Sequence, residues 1–316
     1  MAEASTANIG RTHLQMRLLG RTGIKISEIG FGASSLGEIA DRESGLKALQ
    51  CAFELGVNFV DTADVCGDGD SERWVGIANK TSPRRIHIGT KVGNVDLTRK
   101  TRIKDFSAEH VKAACDRSLE RLGVTIIDLY QLDCPPPEVI AGEEIWDTLR
   151  DLKDKNKIAY YGITVGKPED GILAIEKGDV DTVQVIYNLL ERTAAHELFA
   201  LAEKKRVGII ARVPLASGLL SGKYKPGGRF AGADRRNDIY PPAKFDAALS
   251  RVEQCRFLSA ETGRTLAQAA LRFCLAHPAV SVVIPGIKTA EQAVENIAAA
   301  GVAPLSPEEL AKIDQL

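Results

Sequence analysis

What this sequence lacks removes several classes of function. No run of apolar residues is long enough to cross a bilayer, so no membrane span is expected. Met1 to His13 is small and polar and has no apolar centre of a signal peptide, so export is not expected. A formal net charge of −1 leaves no field to gather DNA, RNA or an anionic membrane surface. Six cysteines are present but none forms a CxxC pair. Cys51, Cys115, Cys255 and Cys274 fall in helix-like stretches and read as buried thiols, which points to a reducing, cytoplasmic compartment. Histidine occurs five times, at His13, His87, His110, His196 and His277, and none lies near the end of an expected strand. A dinucleotide-binding glycine loop is also missing, because Gly30-Phe31-Gly32-Ala33-Ser34-Ser35 fails the GxGxxG spacing. No internal repeat or low-complexity segment stands out.

What is there is an ordinary globular balance over 316 residues, with 44% hydrophobic and 26% charged residues. Short apolar runs alternate with amphipathic stretches. The runs are Glu28–Ser34, Asn58–Asp64, Ile86–Gly93, Ile126–Cys134, Ala159–Val165, Thr182–Leu190, Val207–Ala216 and Val280–Pro285, each about the length of a buried strand. Between them, Ser44–Leu55, Ser107–Leu122, Glu143–Lys155, Ala195–Lys205 and Thr289–Ala299 have helical patterning. Eight strands alternating with helices imply an α/β fold with a parallel sheet. At this length a closed (β/α)8 TIM barrel is favoured over an open doubly wound sheet. Before the first barrel strand, Met16–Ser27 with Gly20-Arg21-Thr22-Gly23 reads as a β-hairpin. The expected organisation is a flexible tail over 1–15 and one domain over 16–316. Ser217–Asp246 reads as a long insertion, of the kind that is usually functional or mobile.

Reacting groups in such a barrel come from the C-terminal ends of strands and the loops after them. Asp61, Lys91, Asp133, Thr164, Gln184, Asn188, Arg212, Gly286 and Lys288 all fall there, and their convergence predicts a polar pocket. Asp61 and Lys91 are of opposite charge and suit a pair in which the lysine promotes ionisation of a neighbouring acid. Cys66, beside Lys91, would tend toward thiolate if exposed, or be an inert small residue that makes room. Asp133, if protonated, could serve as an acid. Ionised, it could serve as a base, hold a cationic substrate together with Asp64, or simply pair with Lys91. Asp61, Cys66 and Asp133 match no compact metal-ligand spacing, so no metal is expected.

Three motifs taken together resemble the aldo-keto reductases: Asp61-Thr62-Ala63-Asp64-Val65-Cys66-Gly67 through Glu72, Gly89-Thr90-Lys91, and Ile284-Pro285-Gly286-Ile287-Lys288-Thr289-Ala290-Glu291-Gln292 followed by Glu295-Asn296. The resemblance runs from about Met16 to the C-terminus. It implies that the hairpin closes the barrel bottom and that NADP(H) is the cofactor. Lys288 at a helix start would face a 2′-phosphate. Gln292 and Asn296 would hold the adenine, Gln184 with Thr164 nearby the carboxamide, and Arg212 the nicotinamide face. Leu215, Ser217, Gly218 and Lys223 would line the pyrophosphate loop, and Gly32 and Gly286 complete the cofactor set. Asp61, Cys66, Lys91 and Asp133 would form the catalytic set. The chain departs from the family twice: Cys66 stands where the family has its tyrosine acid, and Asp133 where it has histidine.

Three functions remain open at this level. The first is an NADP(H)-dependent oxidoreductase acting on a C=O, C=N or conjugated C=C group of a small molecule through a rebuilt acid–base set. The second is a non-redox lyase, dehydratase or epimerase on the same fold. The third is an inactive NADP(H)-binding protein. The partner expected is a small-molecule substrate, with no nucleic acid and no membrane, and a homo-oligomer stays open.

Overall fold

Two short strands, β1 (Met16–Leu18) and β2 (Lys25–Ser27), pair antiparallel with Met16 opposite Ser27 and Leu18 opposite Lys25. The turn between them depends on Gly20 and Gly23, both at positive φ, and a Cβ on Gly20 would meet the Gly208 backbone at 2.2 Å. This computed structural model describes residues 14–38, 41–95, 103–225, 227–232, 234, 236–260 and 262–316. Of the expected tail over 1–15, all but Leu14 and Gln15 lies outside the described residues.

Eight parallel strands follow: β3 (Phe31–Gly32), β4 (Phe59–Asp61), β5 (His87–Val92), β6 (Ile127–Asp133), β7 (Ile158–Thr164), β8 (Thr182–Ile186), β9 (Gly208–Arg212) and β10 (Val280–Ile284). They lie in sequence order, each paired with the next, and bridges Ile29–Val283 and Gly32–Gly286 close first to last. The fold is therefore the (β/α)8 barrel, in one domain. Every strand falls inside its expected run except β7, which starts one residue earlier, at Ile158.

Two apolar clusters follow from strand alternation, which sends neighbouring side chains to opposite faces. Leu129, Ile210, Val282, Ile284 and Phe59 fill the barrel interior, and Leu19 and Ile26 of the hairpin pack into the same cluster. The hairpin thus plugs the N-terminal end. Tyr160 adds a tie by donating from its hydroxyl to Thr22 O at 2.6 Å. The larger cluster lies between the sheet and the surrounding helices and includes Phe53, Trp74, Trp146, Phe199 and Leu271. With its lower end filled, the barrel brings the inward-facing side chains of Asp61, Lys91, Gln131, Asp133, Thr164 and Gln184 to its upper rim. No helix among the described residues is long and apolar enough to cross a membrane.

The segment Ser217–Asp246 is only partly a loop. It contains the end of a 3-10 turn (Ala216–Ser221), a short helix Arg236–Ile239 and the start of the helix Pro242–Gln254. An aromatic cluster holds it in place: Phe230 packs edge-on against Tyr224 and Phe245 at 5.1 and 5.2 Å.

Candidate active site

Parallel register sets the rim. Gly32, Asp61 and Gly89 are in register on β3 to β5, as are Lys91 and Gln131 on β5 and β6. Asp133, Thr164 and Gln184 are in register on β6 to β8. Neighbours in register share a face, so these side chains converge on the barrel axis.

Asp61 is the hub. Its Oδ2 pairs with Lys91 Nζ, which also donates to Thr62 O at 2.7 Å. Its Oδ1 accepts from Gln131 Nε2 at 2.9 Å and Gln184 Nε2 at 2.8 Å, and Gln184 Nε2 donates as well to Gln131 Oε1 at 3.0 Å. The ion pair is almost dry, with side chains 4% and 8% exposed. A buried pair survives only where further hydrogen bonds satisfy the remaining lone pairs and protons, and the two glutamine amides and the Thr62 carbonyl supply them. Lys91 therefore pairs with Asp61, which corrects the alternative in which Asp133 was its partner.

Asp133 instead accepts from Asn94 Nδ2 at 2.5 Å. The next residue, Cys134, has a left-handed backbone at φ 52°, and Val213, just after Arg212, has φ 54°. Such a conformation is costly for a β-branched residue and tends to cluster at functional sites.

Cys66 lies in the turn after β4, where its N–H donates to Ala63 O and its carbonyl accepts from Ser71 N. Gly67, the next residue, packs so closely on Gly37 that a Cβ on either would clash with the other's backbone. Burial pushes the Cys66 thiol up to about 12, and the nearby Lys91 charge only partly offsets this. Of the two readings of Cys66, a thiolate drawn out by Lys91 or an inert small residue, this supports the inert one, because desolvation outweighs the lysine. Asp64 also differs from its simplest reading as an anion. Burial, followed by the Glu72 carboxylate, pushes it up to about 7, with Arg121 pulling the other way. Glu72 is fully buried, accepting from Thr90 Oγ1 and Arg121 Nε, each at 2.6 Å.

Around the other side of the rim, two buried polar atoms lack a protein partner, Thr164 Oγ1 and Arg212 Nε. Arg212 uses a terminal nitrogen to hold Val165 O at 3.0 Å. An unsatisfied buried donor costs about 1–3 kcal/mol, so such atoms mark places where a polar ligand is welcome. Gly32 has a different task. A Cβ there would lie 2.7 Å from Pro285 O, and its N–H donates to that oxygen at 3.0 Å, so it permits close packing at the barrel seam, with Gly286 bridged to it.

Left-handed Ala216, Ser217 and Gly218 curl the chain after Leu215, while Lys223 is exposed. Arg236 reaches across this curl to donate to Ser217 O at 2.9 Å, pairs with Asp234 at 2.7 Å, and lies 4.2 Å over the Phe230 ring. Asp234, held down to about 2 chiefly by Arg236, also feels the charge of Lys288. Lys288 precedes the helix Ala290–Ile297, capped by Thr289. Gln292 Oε1 accepts the Lys288 N–H at 2.8 Å, and Asn296 is buried one turn further on. In this arrangement the Gln292 amide oxygen braces the helix start.

Sequence reasoning missed Gln131, Asn94 and Arg236. Gln131 left a signal: alternation puts it on the face of Asp133, where a buried glutamine needs partners. Asn94 lies in an irregular segment and Arg236 starts a helix of four residues, too short to leave a pattern.

A model of the Aldo/keto reductase family matches residues 28–316. The uncharacterized oxidoreductase YqkF of Bacillus subtilis is 32% identical over 298 residues, covering 94% of each chain. L-galactose dehydrogenase of Arabidopsis thaliana is 32% identical, over 91% of this chain and 88% of that one. Among solved structures, the holo form of the aldo-keto reductase AKR11C1 from Bacillus halodurans superposes with a TM-score of 0.81 at 30% identity, covering 96% of each chain.

Proposed function

The chain belongs to the aldo/keto reductase family of oxidoreductases, and from that premise we propose that it is NADP(H)-dependent and works through a rebuilt acid–base set. Its substrate is a small organic molecule with a C=O, C=N or conjugated C=C group. The observation that carries this reading is the dry Asp61–Lys91 pair, joined through Gln184 to a rim that holds the unpartnered Thr164 hydroxyl.

The residues present suit the cofactor. Thr164 Oγ1 and Gln184 Oε1 offer a donor and an acceptor to a carboxamide, and Arg212 offers a planar cation to stack on a ring. The Ala216–Gly218 curl lets backbone approach a pyrophosphate, and Lys288 adds a cation at a helix start, where a 2′-phosphate is favoured. A nicotinamide held by these residues would supply hydride-transfer chemistry.

The protein's own part is to hold charge and exclude water. Lys91 is held against Asp61 and Thr62 O, and its charge acts on the nearby Cys66 thiol. Cys66, with its thiol near 12, supplies neither a ready proton nor a thiolate near neutral pH. This weighs against the non-redox reading in which a Cys66 thiolate abstracts a proton. On this reading Asp133, which accepts from Asn94, meets a cationic or proton-demanding substrate.

Converting both departing positions to the family residues, Cys66→Tyr with Asp133→His, tests the proposal. NADPH-dependent reduction of a simple aromatic aldehyde should rise at least about a hundredfold over the wild type, within the range that general acid catalysis contributes. A wild type that already reduces such aldehydes as fast as the double variant would refute the rebuilt set.

A further inference from the structure

We propose that Gln131 is a positioning residue that fixes which end of the Gln184 amide is turned toward the cofactor, and so links the grip on the nicotinamide to the Asp61–Lys91 pair. The inference rests on the NADP(H) reading above.

Gln131 lies on β6, fully buried and on the same face as Asp133. Its neighbour across the sheet makes room for it: a Cβ on Gly89 would come within 3.3 Å of Gln131 Nε2. Three hydrogen bonds then close a triangle. Gln131 and Gln184 both donate to Asp61 Oδ1, at 2.9 and 2.8 Å, and Gln184 donates its second N–H to Gln131 Oε1 at 3.0 Å. The orientation of both amides follows from chemistry. An ionised carboxylate only accepts, so each glutamine must turn its nitrogen to Asp61. Reversing either would set two oxygens against each other in a buried site.

The consequence falls on Gln184. Both of its N–H bonds are used inside the triangle, so Oε1 is the end left for a ligand. A carboxamide has a donating NH2 and an accepting carbonyl, and the rim offers it the complement: an acceptor at Gln184 and, at Thr164, a buried hydroxyl without a protein partner. Without Gln131, the Gln184 amide keeps one anchor instead of two, and Asp61 loses one of its side-chain donors. Gln184 is then held less firmly in the orientation that receives an N–H.

The test compares NADP+ with its 3-acetylpyridine analogue, in which an acetyl group replaces the carboxamide and the N–H donors are gone. Both are titrated against the full chain and against Gln131→Met, which keeps the side-chain volume but not the polarity. The wild type should bind NADP+ about tenfold more tightly than the analogue, the worth of one well-placed hydrogen bond. In Gln131→Met, NADP+ binding should weaken until that preference falls to about twofold, with affinity for the analogue nearly unchanged. Equal weakening toward both ligands would signal mere loosening of the fold and would overturn the proposal, as would an unchanged preference. Should Gln131→Met fail to fold, Gln131→Leu, which likewise removes the oxygen that Gln184 donates to, should narrow the preference in the same way. If the wild type bound NADP+ without preferring it over the analogue, the role of Gln131 would fall while the cofactor reading stood. If the wild type bound neither, both would fall.

Discussion

At the scale of single residues, burial rather than sequence neighbourhood decides the chemistry here. Cys66 sits beside a lysine, and charge alone would make it reactive, yet desolvation holds its thiol near 12. At pH 8 in the folded protein, Cys66 should therefore react with iodoacetamide about a thousandfold more slowly than an ordinary thiol, because so little thiolate is present. Peptide mapping against time reads this directly, and labelling at the rate of an unfolded control would contradict it. Asp64 gives a prediction of opposite character. Its folded pKa, about 7, lies above the ordinary 3.8, so the native state holds this proton more tightly than the unfolded chain does. Asp64 thus lowers stability as pH rises from about 4 to 7, and the penalty is fully present above 7. Asp64→Asn should stabilise the protein at pH 8 by on the order of 2 kcal/mol and have almost no effect at pH 4. Thermal melts at the two pH values check the sign. Asp61, Lys91, Asp133, Thr164 and Gln184 could all be read from the sequence as strand-end polar residues. Their partners were harder to see, because which carboxylate takes the lysine depends on register across strands far apart in sequence.

At the scale of elements, the strands were easy to read and the connections were not. A buried parallel strand must be apolar on both faces, so it stands out as a short run between polar stretches. Ser217–Asp246 gave only composition: many glycines, prolines and cations. Its order comes from Phe230 packing on Tyr224 and Phe245, and from Arg236 clamping Ser217, contacts that no local pattern encodes. Arg236→Ala removes the clamp over the curl and should speed NADPH release about tenfold, measured by stopped-flow displacement, while shifting the melting temperature little. Gly32 is an element-scale residue as well. It was grouped with the cofactor set, but its position is explained by the β3–β10 seam, where a Cβ would strike Pro285 O. Gly32→Ala should cost about 2–4 kcal/mol by forcing that seam apart, read by urea unfolding.

At the scale of the whole molecule, the eight-fold alternation, the plugging hairpin and the closing bridges form one barrel, with the Asp61 network at the end opposite the hairpin. That division was legible from the order of strands and helices, because a closed parallel sheet is the economical way to bury strands that are apolar on both faces. The chemistry of the rim was only half legible: on the proposed reading the closing motif serves a nucleotide, while Cys66 and Asp133 change the proton-handling side. The central claim is that this rim still grips a phosphorylated nicotinamide. Calorimetric titration of the purified chain with NADPH, beside NADH, tests it most directly. One equivalent of NADPH should bind with a dissociation constant of about 10 µM or lower, and NADH at least about tenfold more weakly. No binding of NADPH at a concentration of about 1 mM, or equal binding of both nucleotides, would contradict the account.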